Sequence, residues 1–265
     1  KRPGRAFDKP LVGDVGEGVA LRAHEVQAGG VGHGHGLPVG AGQHLEAPDL
    51  HHCSQMGQLL ARMHLAVADY APVQANQRGL AWWQDMTPRL SPYLSAGQRA
   101  LLDTELAFQQ QVAASAAYQA LPKGAVHADC FRDNVLFDGL PGHEKLTGCL
   151  DFYFAGTEPL AYDLAVALND WCIDLDTGRL EADRADALVR AYQGLRALQP
   201  AEVRLMPALL RASALRFWLS RLGDWHLPRE ADLLQPKDPA HFERVLRERI
   251  ALPWHPQGAV PSTVD

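Results

Sequence analysis

The feature that most constrains the fold is a short hairpin pattern in the middle of the chain. Two apolar stretches, 134–138 and 145–150, flank the run DGLPGHE at 138–144. Glycine, proline and aspartate in this order favour a tight reversal between two strands. The hairpin therefore brings Asp151, at the end of the return strand, opposite Asn134, at the start of the outgoing strand.

Three oxygen-bearing side chains lie around this hairpin. Asp129 and Asn134 are five residues apart in the stretch VHADCFRDNVLF at 126–137, and Asp151 follows the return strand. Mg²⁺ takes few protein ligands and prefers oxygen, which suits Asn134 and Asp151. A carboxylate such as Asp129 can accept the proton of an attacking hydroxyl. The spacing predicts a kinase-type phosphoryl-transfer site with Asp129 as the base and the other two as metal ligands.

Three further residues are predicted to support this site. Asp163, on a predicted helix, either accepts hydrogen bonds from the loop or is an N-terminal charge favoured by the helix dipole. Arg132 is either a phosphate contact or a surface arginine paired with Asp133. His127 belongs to the same pattern. Singly, short polar side chains in a loop often bond their own backbone, so the joint pattern carries the prediction.

Helical periodicity dominates the rest of the chain. His64 lies on or beside an apolar stripe, and we expect a core histidine with satisfied hydrogen bonds rather than a ligand. A short helical or irregular segment begins at Ala81 and is bounded by Pro88 and Pro92, and a strand is predicted at 124–127. Apolar residues at three- and four-residue steps predict longer helices at 49–67, 95–119, 160–170, 181–198, 201–222 and 239–250.

The beginning of the chain differs from everything after it. Residues 1–50 hold 11 of the 23 glycines and show no helical or alternating period. The glycine runs at 12–19 and 29–36 are either a phosphate-binding loop or a flexible linker, and glycine abundance mainly raises chain entropy. We predict an atypical or degraded N-terminal lobe at 1–42, a kinase-like helical lobe with the catalytic loop at 43–257, and a flexible tail at 258–265.

Composition narrows the class of partners. A chain with 47% hydrophobic and 21% charged residues is expected to be globular, and a net charge of −6 disfavours nucleic acid. No apolar run reaches the roughly 18 to 20 residues that span a bilayer, so no membrane partner is predicted. Four scattered cysteines without a Cys-x-x-Cys pair disfavour disulfides and favour a cytoplasmic location. The sequence does not define an oligomeric state.

These motifs resemble the aminoglycoside phosphotransferase and choline kinase superfamily, and most closely its type II homoserine kinases. The superfamily's catalytic loop reads His-Gly-Asp, and Ala128 stands at the glycine position. The resemblance covers about residues 43 to 255. It is carried by DCFRDNVLF (129–137), DFYFA (151–155), YDLA (162–165), NDWC (169–172), LPRE (227–230) and KDPAHFE (237–243).

The resemblance implies a protein-kinase-like, two-lobed α+β fold with a mainly helical C-terminal lobe. It implies ATP- and Mg²⁺-dependent phosphorylation of the side-chain hydroxyl of L-homoserine, a step toward threonine. Nucleotide binding would involve a glycine-rich loop, for which Gly16 and Gly18 are the candidates. Substrate contacts are expected at Asn169, Asp170 and Trp171.

Two alternatives stay open. The strands expected of the N-terminal β-lobe are not recognisable, and only two lysines precede Lys123. A catalytically impaired C-terminal lobe that binds metal, substrate or a partner protein would also fit this incomplete or atypical lobe. The other alternative is a kinase of another alcohol, such as choline or an aminoglycoside. Choline sites use aromatic cages, for which Tyr153, Phe154 and Trp171 are candidates.

Overall fold

The computed structural model describes residues 42–227 and 236–257, together with the backbone of residues 20–21. Gly16 and Gly18 lie outside this part, as do most of the predicted N-terminal lobe and the tail at 258–265, so those expectations stay predictions. The elements in chain order are β1 (Ala20–Leu21), α1 (Leu50–Ala66), α2 (Leu80–Leu90), α3 (Ala96–Ala114), α4 (Ala116–Gln119), β2 (Lys123–Val126), β3 (Val135–Asp138), β4 (Lys145–Cys149), β5 (Gly156–Pro159), α5 (Leu160–Trp171), α6 (Ala182–Gln193), α7 (Pro200–His226) and α8 (Ala240–Ala251).

The first helix begins at a reciprocal cap. The side chain of Asp49 accepts a hydrogen bond from the His52 main-chain N–H over 3.0 Å, and the His52 ring accepts one from the Asp49 N–H over 3.1 Å. This satisfies amide groups that a helix start leaves without partners. Farther along α1, a Cβ added to Gly57 would lie 2.0 Å from the Leu188 carbonyl oxygen. Glycine therefore allows α1 and α6 to pack with their backbones in close contact.

Two small sheets frame the predicted hairpin. Strands β3 and β4 pair antiparallel as predicted, with Val135 opposite Cys149, and β1 adds a parallel strand to β4. Strands β2 and β5 form a second antiparallel pair that runs from Lys123 opposite Pro159 to Val126 opposite Gly156. The sequence analysis did not predict β5, because its four residues begin with glycine and end with proline.

Several helix boundaries differ from the sequence prediction. Pro88 lies inside α2 rather than bounding it. The helix expected at 95–119 is interrupted at Ser115, whose extended backbone ends α3 and whose side chain caps α4 by accepting from the Tyr118 N–H. Ser115 starts a new helix because its hydroxyl replaces a missing main-chain acceptor. Helix α7 is longer than predicted and contains Pro207.

The loop at 127–134, which contains the predicted base Asp129, lies between two apolar clusters. Cys130 and Val135 belong to a cluster formed with α1, α5 and α6, whereas Ala128 and Phe131 belong to one formed with α2, α7 and α8. Because consecutive loop residues are anchored on opposite sides, the loop backbone is fixed by burial on both sides. Among the described helices, none has the length and apolar character needed to cross a membrane.

Candidate functional site

The loop after β2 depends on one buried carboxylate. Asp163, in the first turn of α5, accepts hydrogen bonds from the main-chain N–H groups of His127 (2.8 Å) and Ala128 (2.7 Å). Ala128 lies in the left-handed region with φ 63°, which disfavours any residue with a Cβ. The Asp163 carboxylate thereby holds a turn that the sequence at Ala128 does not itself favour.

Asp163 is in turn held by a buried histidine. His64 Nε2 lies 3.1 Å from Asp163 Oδ2, and its Nδ1 lies 2.8 Å from the Tyr192 hydroxyl. Burial by itself would raise the pKa of Asp163, but His64, His127 and the Ala128 amide hold that pKa below its ordinary value. Both ring nitrogens of His64 have partners, as expected of a satisfied core histidine.

His127 connects the loop to the strand that precedes Asp151. Its Nδ1 accepts the Asp129 main-chain N–H over 3.2 Å, and its Nε2 lies 2.8 Å from the Leu150 carbonyl oxygen. Nε2 carries a proton, which it donates to the Leu150 carbonyl oxygen. The His127 ring therefore links the main chain at Asp129 to the main chain just before Asp151.

The Asp129 carboxylate is partly buried beside an arginine from a distant helix. Its side chain is 15% exposed, and Arg216 of α7 donates from Nη1 to Oδ1 over 3.2 Å. Burial raises the pKa of Asp129 above its ordinary value, while Arg216 and His127 act in the opposite direction. A carboxylate with a raised pKa is a better proton acceptor than an ordinary aspartate.

Asn134 and Asp151 have the donor groups that a magnesium ion needs. The Asn134 amide nitrogen donates to the Asp129 carbonyl oxygen over 2.8 Å, which leaves its side-chain oxygen available. Asp151 has a left-handed backbone (φ 56°, ψ 69°) and accepts the Tyr153 N–H over 3.2 Å. Both residues line one cavity of about 450 Å³ together with Asp129. An amide oxygen and a carboxylate facing one cavity fit a hard divalent cation.

Arg132 pairs with a different carboxylate from the one that the sequence suggested. Its guanidinium binds the Asp170 carboxylate through Nε (3.0 Å) and Nη2 (3.3 Å), and its main-chain N–H donates to the same group over 2.8 Å. Asp133 instead pairs with Lys237. The predicted Arg132–Asp133 pair is therefore wrong, because consecutive residues of the short 3₁₀ helix Arg132–Asn134 point in different directions.

The three residues predicted to contact substrate have different surroundings. Asn169 is fully buried, where its amide donates to the Leu210 carbonyl oxygen and its oxygen accepts from Arg249. Trp171 is also fully buried, and its indole N–H donates to the Cys130 carbonyl oxygen over 2.9 Å. Neither side chain lines the cavity that contains Asp129. The Asp170 carboxylate instead binds Arg132 in the loop after β2.

One buried group of possible soft-metal ligands lies below the loop in the described part of the chain. Ligand atoms of His127, Cys130 and Cys149 all lie within 4.8 Å of one another. Both ring nitrogens of His127 already have main-chain partners, so the group is a packed part of the interior. All four cysteines are free thiols.

Sequence reasoning missed Arg216. It lies 87 positions from Asp129, beyond the reach of any local motif. The signal was a single charge within the apolar run ALRFWL at 214–219 of a predicted helix. A charged side chain in such a run is buried only when it has a specific partner.

Fold and site together define a kinase-like phosphotransferase. The model of the phosphotransferase enzyme family matches residues 17–201. A homoserine kinase of Polaromonas naphthalenivorans (strain CJ2) is 56% identical over 208 residues, which are 78% of this chain and 65% of that protein. A homoserine kinase of Burkholderia mallei (strain SAVP1) is 52% identical over 238 residues, 86% of this chain and 71% of that protein. The chain belongs to the phosphotransferase enzyme family, and both of these relatives are homoserine kinases.

A solved structure supports the fold. The amicoumacin kinase hAmiN, in complex with AMP-PNP, Ca²⁺ and Ami, matches with a TM-score of 0.50 and 15% identity. The match covers 74% of this chain and 57% of that chain. The chain also spans only 65% and 64% of the homoserine kinases from Polaromonas naphthalenivorans and Cupriavidus taiwanensis.

Proposed function

We propose that this chain carries the acceptor half of an ATP-dependent kinase that phosphorylates the side-chain hydroxyl of L-homoserine. The observation that carries the proposal is that Asp129, Asn134 and Asp151 line one cavity in a chain whose relatives are homoserine kinases. Phosphoryl transfer needs a positioned hydroxyl, a proton acceptor and charge compensation around the phosphate oxygens. These three residues offer the oxygen groups for each task.

The proposed roles follow from the surroundings of each residue. Asp129, with its raised pKa, accepts the proton of the homoserine hydroxyl as the oxygen attacks. Asn134 and Asp151 would hold Mg²⁺, which supplies positive charge at the phosphate oxygens when bound. Asp163 and His127 keep the two acidic residues at a fixed separation through main-chain hydrogen bonds. Gly16 and Gly18 remain the candidate nucleotide contacts.

The choice of homoserine over choline also has support in the described residues. An aromatic cage binds a quaternary ammonium through open ring faces. The face of Phe154 is already near the guanidinium of Arg216, 4.8 Å away, and Trp171 is fully buried. The cavity wall carries Arg216 and Arg221 as well as acidic residues. Both signs of charge suit an amino acid better than a cationic alcohol.

The direct test is release of ADP from ATP with Mg²⁺ in the presence of L-homoserine, choline or kanamycin. We expect release only with homoserine, and release that is slower by about 10²-fold or more when Asp129→Asn replaces the native chain. ADP release with choline alone would show that choline, and not homoserine, is the substrate. A lack of both ADP release under any condition and ATP binding by calorimetry would support the alternative of a catalytically impaired lobe, whereas ATP binding would contradict that alternative.

A further inference from the structure

Arg216 is buried at the bottom of the cavity, and only one of its two terminal nitrogens has a hydrogen-bond partner among the described residues. Its side chain is 3% exposed, and Nη1 donates to Asp129 Oδ1 over 3.2 Å. Its Nη2 is buried and has no hydrogen-bond partner among the described residues. A buried N–H group of a cation that has no acceptor destabilises the folded protein. The protein maintains this costly arrangement directly beside the proposed base.

Two aromatic rings set the orientation of this guanidinium. Its central carbon lies 3.7 Å from the ring centroid of Phe217 and 4.8 Å from that of Phe154. Phe154 follows Asp151 by three residues, and Phe217 follows Arg216 on α7. Contacts of this kind between a cation and a ring orient a planar guanidinium. The unpaired Nη2 is therefore held in a defined position rather than left free to rotate.

The α7 wall of the cavity carries a row of polar residues. Arg216, Ser220 and Asp224 line the cavity at steps of four residues, which places them on one face of the helix. This wall offers positive charge, a hydroxyl and negative charge in sequence. An amino acid carries a carboxylate and an ammonium group. It can therefore pair with both charges of this wall, whereas a neutral alcohol cannot.

On the basis of the proposed function, we propose that Arg216 binds the α-carboxylate of the acceptor amino acid through Nη2 while Nη1 remains on Asp129. One rigid guanidinium then links the proton acceptor at one end of the substrate to the carboxylate at the other. Planar forked donors suit carboxylates because both N–H groups have fixed directions. The distance between hydroxyl and carboxylate becomes a criterion of selection, which disfavours serine, whose chain is one carbon shorter.

The test compares L-homoserine with L-homoserinol, in which a hydroxymethyl group replaces the carboxylate. The native chain should prefer homoserine in kcat/KM by about 10- to 100-fold, the range expected of hydrogen bonds to a charged group. Arg216→Gln should remove this preference by raising the KM for homoserine, with a smaller effect on homoserinol. Arg216→Lys, which keeps the charge but not the fork, should restore only part of it. An equal loss with both acceptors would overturn the proposal and assign the arginine to the phosphoryl group.

Arg211→Lys is the matched control on the same helix. Arg211 pairs with Glu105 rather than lining the cavity, so its substitution should leave the ratio of the two acceptors unchanged. Binding of L-homoserine and L-homoserinol, measured by calorimetry without nucleotide, separates this proposal from the proposed function. Tighter binding of homoserine that is lost in Arg216→Gln supports the carboxylate contact even if no ADP is released. Equal binding of both compounds to the native chain would overturn it.

Discussion

The Ala128 main-chain N–H donates to the Asp163 carboxylate over 2.7 Å, although the two residues are 35 positions apart. The hydrogen bond joins the left-handed turn of the catalytic loop to the first turn of α5. The position of the proposed base therefore depends on a residue that has no contact with the cavity.

The first prediction concerns Asp129. Asp129→Asn should lower kcat by about 10²-fold or more, because the amide cannot accept the hydroxyl proton. Steady-state ADP release measures the loss, and circular dichroism checks folding. The exposed Asp85→Asn, which removes only a surface pair with Arg89, should stay within about twofold of native.

The pH dependence of the same reaction provides a second test of the role of Asp129. Because the pKa of Asp129 is raised above the ordinary value of 3.8, its carboxylate takes up a proton at a higher pH than an exposed aspartate. As the pH is lowered, kcat/KM should therefore begin to fall at a pH above 3.8. Arg216 lowers this pKa, so Arg216→Gln should move the acid limb to higher pH. An acid limb that stays in place would separate Asp129 from the proton transfer.

Asp163 should link stability to acid pH. Its pKa is lowered in the folded state from 3.8, so its contribution to the free energy of unfolding is present above that value and is lost as pH falls through the folded-state pKa. Asp163→Asn should lower stability at pH 7 by about 1 to 3 kcal/mol and reduce the acid-side slope. Urea unfolding across pH measures both effects. Asp103→Asn, at an exposed position of α3, should alter neither.

The Arg132–Asp170 pair should couple more strongly than a surface ion pair. Its side chains are 16% and 11% exposed, whereas those of Arg89 and Asp85 are 56% and 69% exposed. A double-mutant cycle with Arg132→Gln and Asp170→Asn should give a coupling of about 1 to 3 kcal/mol. The same cycle on the surface pair should give about 0.5 kcal/mol or less. Equal couplings would contradict a structural clamp at Arg132.

The strained turn at Ala128 can be relieved by one substitution. Ala128→Gly should cost about 1 kcal/mol less than Ala155→Gly, since both methyl groups are buried but only glycine tolerates φ 63° without strain. Ala155→Gly is the control, because Ala155 has φ −57° and a buried methyl group. It should lose about 1 kcal/mol through chain entropy and lost packing. An equal loss in both variants would show that the turn is not strained.

The close contact of α1 and α6 gives a further pair of variants. Gly57→Ala should destabilise the protein by several kcal/mol, because the new methyl group would overlap the Leu188 carbonyl, with only backbone movement to relieve it. A Cβ at Gly97 meets nothing within 4 Å, so Gly97→Ala in α3 should instead stabilise by about 0.5 kcal/mol. Thermal unfolding of the two variants should shift in opposite directions.

The elements that depend only on residues close together in the sequence could be predicted from it. The hairpin β3–β4 followed from turn residues between two apolar runs, and α1 and α5 followed from their apolar stripes. Strand β5 could not be predicted, because its pairing with β2 depends on a partner about 30 residues away. Arg216 could not be assigned for the same reason, since its partner Asp129 lies on another element.

Residues that share one sequence motif also have different surroundings in the fold. Asp170 and Trp171 are neighbours in sequence, but one binds the Arg132 guanidinium and the other fills the interior. Neighbouring residues of a helix point 100° apart, so a motif specifies which residues are present and not which of them reach a cavity.

The pairing of β2 with β5 makes residues 127–155 a closed loop with a common base. Its tip, at 139–143, is exposed and contains two glycines with positive φ. Exposed turns of this kind accept added residues with little loss of stability. A short peptide tag placed in the tip would thus leave the spacing of Asp129 and Asp151 intact. This loop provides an attachment site for a reporter on the same hairpin as the proposed metal ligands.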